Sequence, residues 1–123
     1  MSIKITSKAC SRKSLRASSP FEAGITDAGY MKLIRQNVPA ALDEHAPELV
    51  MFIMGSDIYE GDPLTETRIS REGVLERDLY IVGECRKRHI PVAMTLSGGY
   101  SKESWQIHAD SIAALIRKYD GAR

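Results

Sequence analysis

No stretch of this sequence approaches the roughly 18 consecutive apolar residues of a membrane span. The longest unbroken apolar run is Leu49–Met54, so the chain reads as soluble, with no membrane partner. Cysteine is scarce. Cys10 and Cys85 stand in different contexts with no metal-ligand spacing, the pattern of two free thiols in a reducing, cytoplasmic compartment (or the nucleus of a eukaryote). The histidines are as sparse: His45, His89 and His108 form no adjacent pair and no short spacing. Each reads as an exposed or helix-terminal residue, and the local sequence offers no histidine metal cluster.

Acid is missing from one end. Five of the 17 basic residues but none of the 16 acidic ones fall within the first 20 positions, and that leader is rich in serine and closes at Pro20. Such a composition buries too little apolar surface to order itself, so residues 1–20 are read as a disordered tail and residues 21–123 as the domain. A transit peptide shares this composition but needs a stronger apolar face. A nucleic-acid arm would need basic residues that continue into the domain, and they do not. At 123 residues, with 43% hydrophobic and 27% charged residues, what remains is one globular unit with a single core and no direct nucleic-acid partner.

The domain's pattern is that of an α/β fold in the order α-β-α-β-α. Thr26 can cap a helix through Tyr30, Leu33, Ile34, Val38 and Leu42, with a kink or restart at Pro39. Leu49–Met54 lacks alternation and reads as a strand buried on both faces, as in parallel sheets. Ser70 precedes a helix with Val74, Leu75, Asp78, Leu79, Val82 and Cys85 on one face. The basic run Arg86-Lys87-Arg88 opposes its dipole's negative end. A second buried strand spans 90–96. The last helix carries Trp105, Ala109, Ile112, Leu115, Ile116 and Tyr119, with Gly121 beyond its end. Strand, crossover helix and strand form a right-handed parallel unit, and a sheet so small leaves its edges open to another chain.

The chemistry gathers where the two strands end. Gly55-Ser56-Asp57 puts a carboxylate one step past the first strand, where open α/β sheets hold their ligands, a position suited to a metal ligand or general base. If the strands are parallel neighbours, Ser97-Gly98-Gly99-Tyr100 meets Asp57 at the same rim. Loop 55–70, with Glu60, Asp62 and Glu66, also fits a solvated acidic loop with Asx turns. Tyr100 fits core packing as well as hydrogen-bond donation. Gly98-Gly99 ahead of a helix starting near Ser101 leaves a phosphate-binding reading open, without a P-loop or dinucleotide signature.

The motifs Gly55-Ser56-Asp57-Ile58-Tyr59-Glu60-Gly61-Asp62-Pro63-Leu64, Ile69-Ser70-Arg71-Glu72-Gly73, Arg77-Asp78, Ile90-Pro91-Val92 and Ser97-Gly98-Gly99-Tyr100 resemble, in order and spacing, the C-terminal part of zinc-dependent histone deacetylase-type proteins. The class IV branch and its bacterial relatives are most similar. The resemblance covers about residues 22–118 and leaves the basic leader unmatched. It implies a partial arginase/deacetylase fold, a parallel sheet between helical layers. It further implies Asp57 as a zinc ligand, Tyr100 as the catalytic donor to the substrate carbonyl, Gly98 and Gly99 as pocket wall, and Asp62 as a loop-organising residue. Complete relatives use zinc-activated water on acyl-lysine amides or acylpolyamines. The family's Asp-x-His ligands and His-His base have no counterpart here, and Thr65-Glu66-Thr67-Arg68 departs from its loop. The expectation is therefore a truncated or split deacetylase, inactive alone and completed by an N-terminal half. The alternatives are a non-catalytic interaction module and a phosphate-binding domain.

Overall fold

The computed structural model describes residues 3–6 and 22–120, in the order β1 (Ile3–Thr6), α1 (Asp27–His45), β2 (Leu49–Gly55), α2 (Arg71–Lys87), β3 (Val92–Ser97) and α3 (Ser104–Tyr119). β2 is the middle strand of three. It pairs antiparallel with β1 and parallel with β3, in a register that runs from Val50 opposite Val92 to Gly55 opposite Ser97. The architecture is α/β, with the expected parallel pair at its centre. β1 corrects one expectation, because a strand lies inside the segment read as a disordered tail. Residues 7–21, with Cys10, and Gly121 lie outside the described residues.

Hydrophobic burial builds the core on one face of β2. Val50, Phe52 and Met54 join Tyr30, Ile34 and Leu42 of α1, Val74 and Ile81 of α2, and Ile107 and Leu115 of α3 in a single cluster. On the opposite face Met51 and Ile53 are only half-buried, so the expected strand buried on both sides is covered on one. β3 is barer still. Met94 and Leu96 are 40% and 61% exposed, although they lie beside the buried Phe52 and Met54 in the sheet register.

The helices show how local sequence sets position. α1 runs unbroken past Pro39, so of the expected kink or restart there is no restart. The N–H that proline lacks would have met the carbonyl of exposed Arg35, which water can satisfy instead. α2 is capped by Ser70, whose Oγ accepts from Gly73 N at 3.0 Å. No capping-box glutamate stands three residues on. Asp27 supplies the carboxylate instead, accepting from Ser70 N at 2.8 Å and Ser70 Oγ at 2.5 Å, which ties the starts of α1 and α2 together. A Cβ on Gly73 would lie 2.3 Å from Asp27 Oδ1, so only glycine fits this junction. Along α3, Trp105, Ile112 and Ile116 are exposed while Ile107, His108, Ser111 and Leu115 are buried. The apolar helical steps of the sequence are thus largely rotated off the core. Among the described residues no helix is long and apolar enough to cross a membrane.

Candidate active site

The parallel register delivers the loops after β2 and β3 to one rim. Ser56 N donates to Gly98 O at 2.7 Å, and the Asp57 carboxylate folds into a cradle of two glycines. A Cβ on Gly98 would fall 2.1 Å from Asp57 Oδ2, and one on Gly55 would fall 2.8 Å from Oδ1. Gly99, with φ +153, makes a similar approach to Ser56, where a Cβ would lie 2.2 Å from Oγ. Missing side chains at 98 and 99 thus let the β3 loop close onto Ser56 and Asp57.

Asp62 joins this corner from behind. Its Oδ1 accepts from Leu64 N at 2.9 Å, an Asx-type turn, and its Oδ2 accepts from Tyr100 N at 2.6 Å. Both oxygens are engaged and the residue is 4% exposed, so it braces two loops together. Tyr100 is pinned by its backbone while its side chain is 64% exposed. Asp57, Gly98, Gly99, Tyr100 and Asp62 therefore occupy one corner, with an exposed carboxylate and an exposed phenol over a fixed backbone.

Two neighbours of the site have placements that the sequence does not disclose, although Arg77-Asp78 stands among its motifs. Arg77 is 1% exposed. It donates through Nη1 to Gly55 O at 2.8 Å and through Nε to Asp78 Oδ1 at 2.7 Å, and its guanidinium lies 5.6 Å from the Phe52 ring centroid. Burial opposes its charge, but Asp78 and the Tyr30 hydroxyl outweigh that and push its pKa up. The signal available was Arg77-Asp78 itself, a charged pair interrupting an apolar helix face. His108 is the second. Expected at the surface, it is 9% exposed, and burial pushes its pKa down, with Asp78 opposing and Arg77 assisting.

Three described features narrow the chemistry. Cys85 is buried and its thiol is pushed up to about 11, first by burial, so it is no thiolate nucleophile at neutral pH. α3 begins at Ser104, beyond the expected start near Ser101, with an acidic residue, Glu103, at its N-cap position and no side-chain cap hydrogen bond; a negative charge next to that terminus disfavours a bound phosphate there. Among the described residues no group of three His, Cys, Asp or Glu side chains is placed to hold a metal ion. A catalytic zinc needs about three protein ligands. The glycine-cradled Asp57 fits one ligand position, and the described residues do not complete the set.

The sequence matches the histone deacetylase domain over residues 4–116. The chain belongs to the histone deacetylase family. The match begins at residue 4, inside the leader and within β1, which corrects the expectation that the leader lies outside the resemblance. Histone deacetylase 2 of Arabidopsis thaliana is 38% identical over 96 residues, 78% of this chain and 25% of the relative. An uncharacterised protein of Picosynechococcus sp. is 29% identical over 79 residues, 64% of this chain and 26% of the relative. The fold agrees with two solved structures. Acetylpolyamine aminohydrolase from Burkholderia pseudomallei superposes with TM-score 0.65 at 23% identity, over 77% of this chain and 26% of that one. The HDA15 HD domain does so with TM-score 0.64 at 22% identity, over 78% of this chain and 27% of that one. This histone deacetylase-family chain spans about a quarter of the length of the relatives it matches.

Proposed function

We propose that this chain forms one wall of a deacetylase-type site, with Asp57 as a metal-ligand carboxylate and Tyr100 as a hydrogen-bond donor to the carbonyl of an acyl amide. The observation that carries this reading is the convergence of the Asp57 carboxylate on Gly98, two residues before Tyr100. A buried strand end, a cradle without side chains and a braced loop hold both groups while leaving them exposed. A phenol held in advance needs no reorganisation when charge develops on the carbonyl oxygen. This chain carries no Asp-x-His and no His-His pair; in this reading the remaining ligands and the general base come from other polypeptide, and the chain by itself does not turn over substrate. The substrate class is an acylated lysine or an acylpolyamine.

An association role for the same surface is supported by β3, which has β2 on one side and no described strand on the other. Its exposed Met94 and Leu96 leave the core face of the sheet uncovered there. The rest of a deacetylase-type domain would cover them, as the longer relatives, of which the match spans about a quarter, suggest.

The test is a chimera in which residues 22–118 replace the matching quarter of Arabidopsis Histone deacetylase 2, assayed on an acetyl-lysine peptide and on an acetylpolyamine. Turnover by the chimera, with none by this chain alone, is expected. A folded chimera that hydrolyses neither substrate under conditions where its parent is active contradicts the reading.

A further inference from the structure

We infer that Arg77 is a positioning residue that fixes the direction of the Asp57 carboxylate by clamping the Gly55 carbonyl. The consequence for a metal site rests on the function proposed above; the clamp itself does not. Its guanidinium is almost wholly buried, a placement that costs several kcal/mol, and Nη2 lies 2.7 Å from Asp78 Oδ1 in the ion pair without making a hydrogen bond. If the pair served packing alone, an apolar side chain of the same volume would do as well or better. What the apolar residue could not do is reach a backbone acceptor 22 positions away. Arg77 Nη1 meets Gly55 O at 2.8 Å, two residues before Asp57. Asp78, through Nε at 2.7 Å, and the Phe52 ring beneath hold the guanidinium plane.

The corner it reaches is short. Ser56 N donates to Gly98 O at 2.7 Å and Tyr59 N to Ser56 O at 3.0 Å, so the Gly55 carbonyl is the corner's attachment to α2. Gly55 carries no side chain, and the Asp57 carboxylate lies in the space where one would be. Rotation of the 55–56 peptide would therefore swing the carboxylate out of its cradle. Arg77 prevents that rotation from the helix side. A planar fork is needed for the task, because an ammonium serves Asp78 or Gly55 O without fixing the angle between them.

The experiment is amide hydrogen exchange on the full chain, comparing wild type with Arg77→Lys and with the paired swap Arg77→Met/Asp78→Leu, which leaves no orphaned charge. The Ser56 and Tyr59 amides are read against Val50 and Phe52 within each protein. The clamp predicts corner exchange at least about tenfold faster relative to the strand in both variants. Equal changes at corner and strand, or none, overturn it. Should the paired swap fail to fold, Arg77→Lys alone decides. In the chimera, Arg77→Lys is expected to weaken zinc binding by about 10- to 100-fold, the usual effect of losing a ligand's support. Unchanged zinc binding in Asp57→Asn would remove the proposed metal role and leave the exchange result standing; altered binding in Asp57→Asn with none in Arg77→Lys would remove the positioning role alone.

Discussion

Asp57 and Gly98 share one space: the carboxylate of the first occupies the volume a side chain on the second would take. Gly98→Ala is thus expected to destabilise the chain by about 1 kcal/mol. In an Asp57→Ala background the same change should cost less than about 0.5 kcal/mol, since the obstructing atoms are gone. Urea denaturation of the four proteins gives the coupling. Additive costs would show that the two residues do not compete for the cradle.

Asp62 serves two backbone donors, Leu64 N and Tyr100 N. Replacement by alanine leaves both without their acceptor and is expected to cost roughly 1–3 kcal/mol. Asp62→Asn keeps one acceptor oxygen and should cost about half as much. Chemical denaturation measures both, and equal losses would mean that packing rather than acceptance carries the effect.

His108 gives the fold an acid weakness. Its folded pKa lies below the ordinary value near 6.5, chiefly through burial, with Arg77 adding to the shift while Asp78 and Asp57 oppose it. Its Nδ1 has no hydrogen-bond partner among the described residues. The unfolded chain therefore takes up a proton more readily, so this contribution is intact above about pH 6.5 and is lost as pH falls below it. Between pH 7.5 and 5.5, wild type should lose more stability than His108→Gln. An identical pH slope in the two proteins would contradict the assignment.

The uncovered face predicts association. Leu96 and Trp105 are 61% and 70% exposed, and exposed apolar patches invite partners. Leu96→Lys with Trp105→Gln should reduce self-association in analytical ultracentrifugation while shifting Tm by no more than about 2 °C, as surface changes do. A large fall in Tm would place these side chains in the fold rather than at an interface.

Much of this was legible because it is local. The apolar run at 49–54, the caps Thr26 and Ser70, and the glycines at 98 and 99 each carry their own signal, and the motif order tied Asp57 to Tyr100 before any contact was known. What escaped depends on contacts between elements. Arg77 stands in a motif, but its hold on Gly55 O is a contact between elements, and the burial of His108 is not written in a polar residue of a helix. Trp105, Ile112 and Ile116 follow a helical stripe as faithfully as core residues do. Periodicity reports an apolar face but not whether the described chain supplies its cover. Asp27, which replaces the missing capping-box acid from 43 residues away, belongs to the same class.

In the proposed site Asp57 and Tyr100 act in different ways, and bound zinc measured beside turnover tests that proposal most directly. In the chimera carrying residues 22–118, Asp57→Asn should lose zinc and rate together, because a ligand is weakened. Tyr100→Phe should keep about one zinc per chain while the turnover number falls by roughly 10²–10³. Full zinc occupancy in Asp57→Asn, or turnover within about threefold of the parent chimera in Tyr100→Phe, would contradict the account.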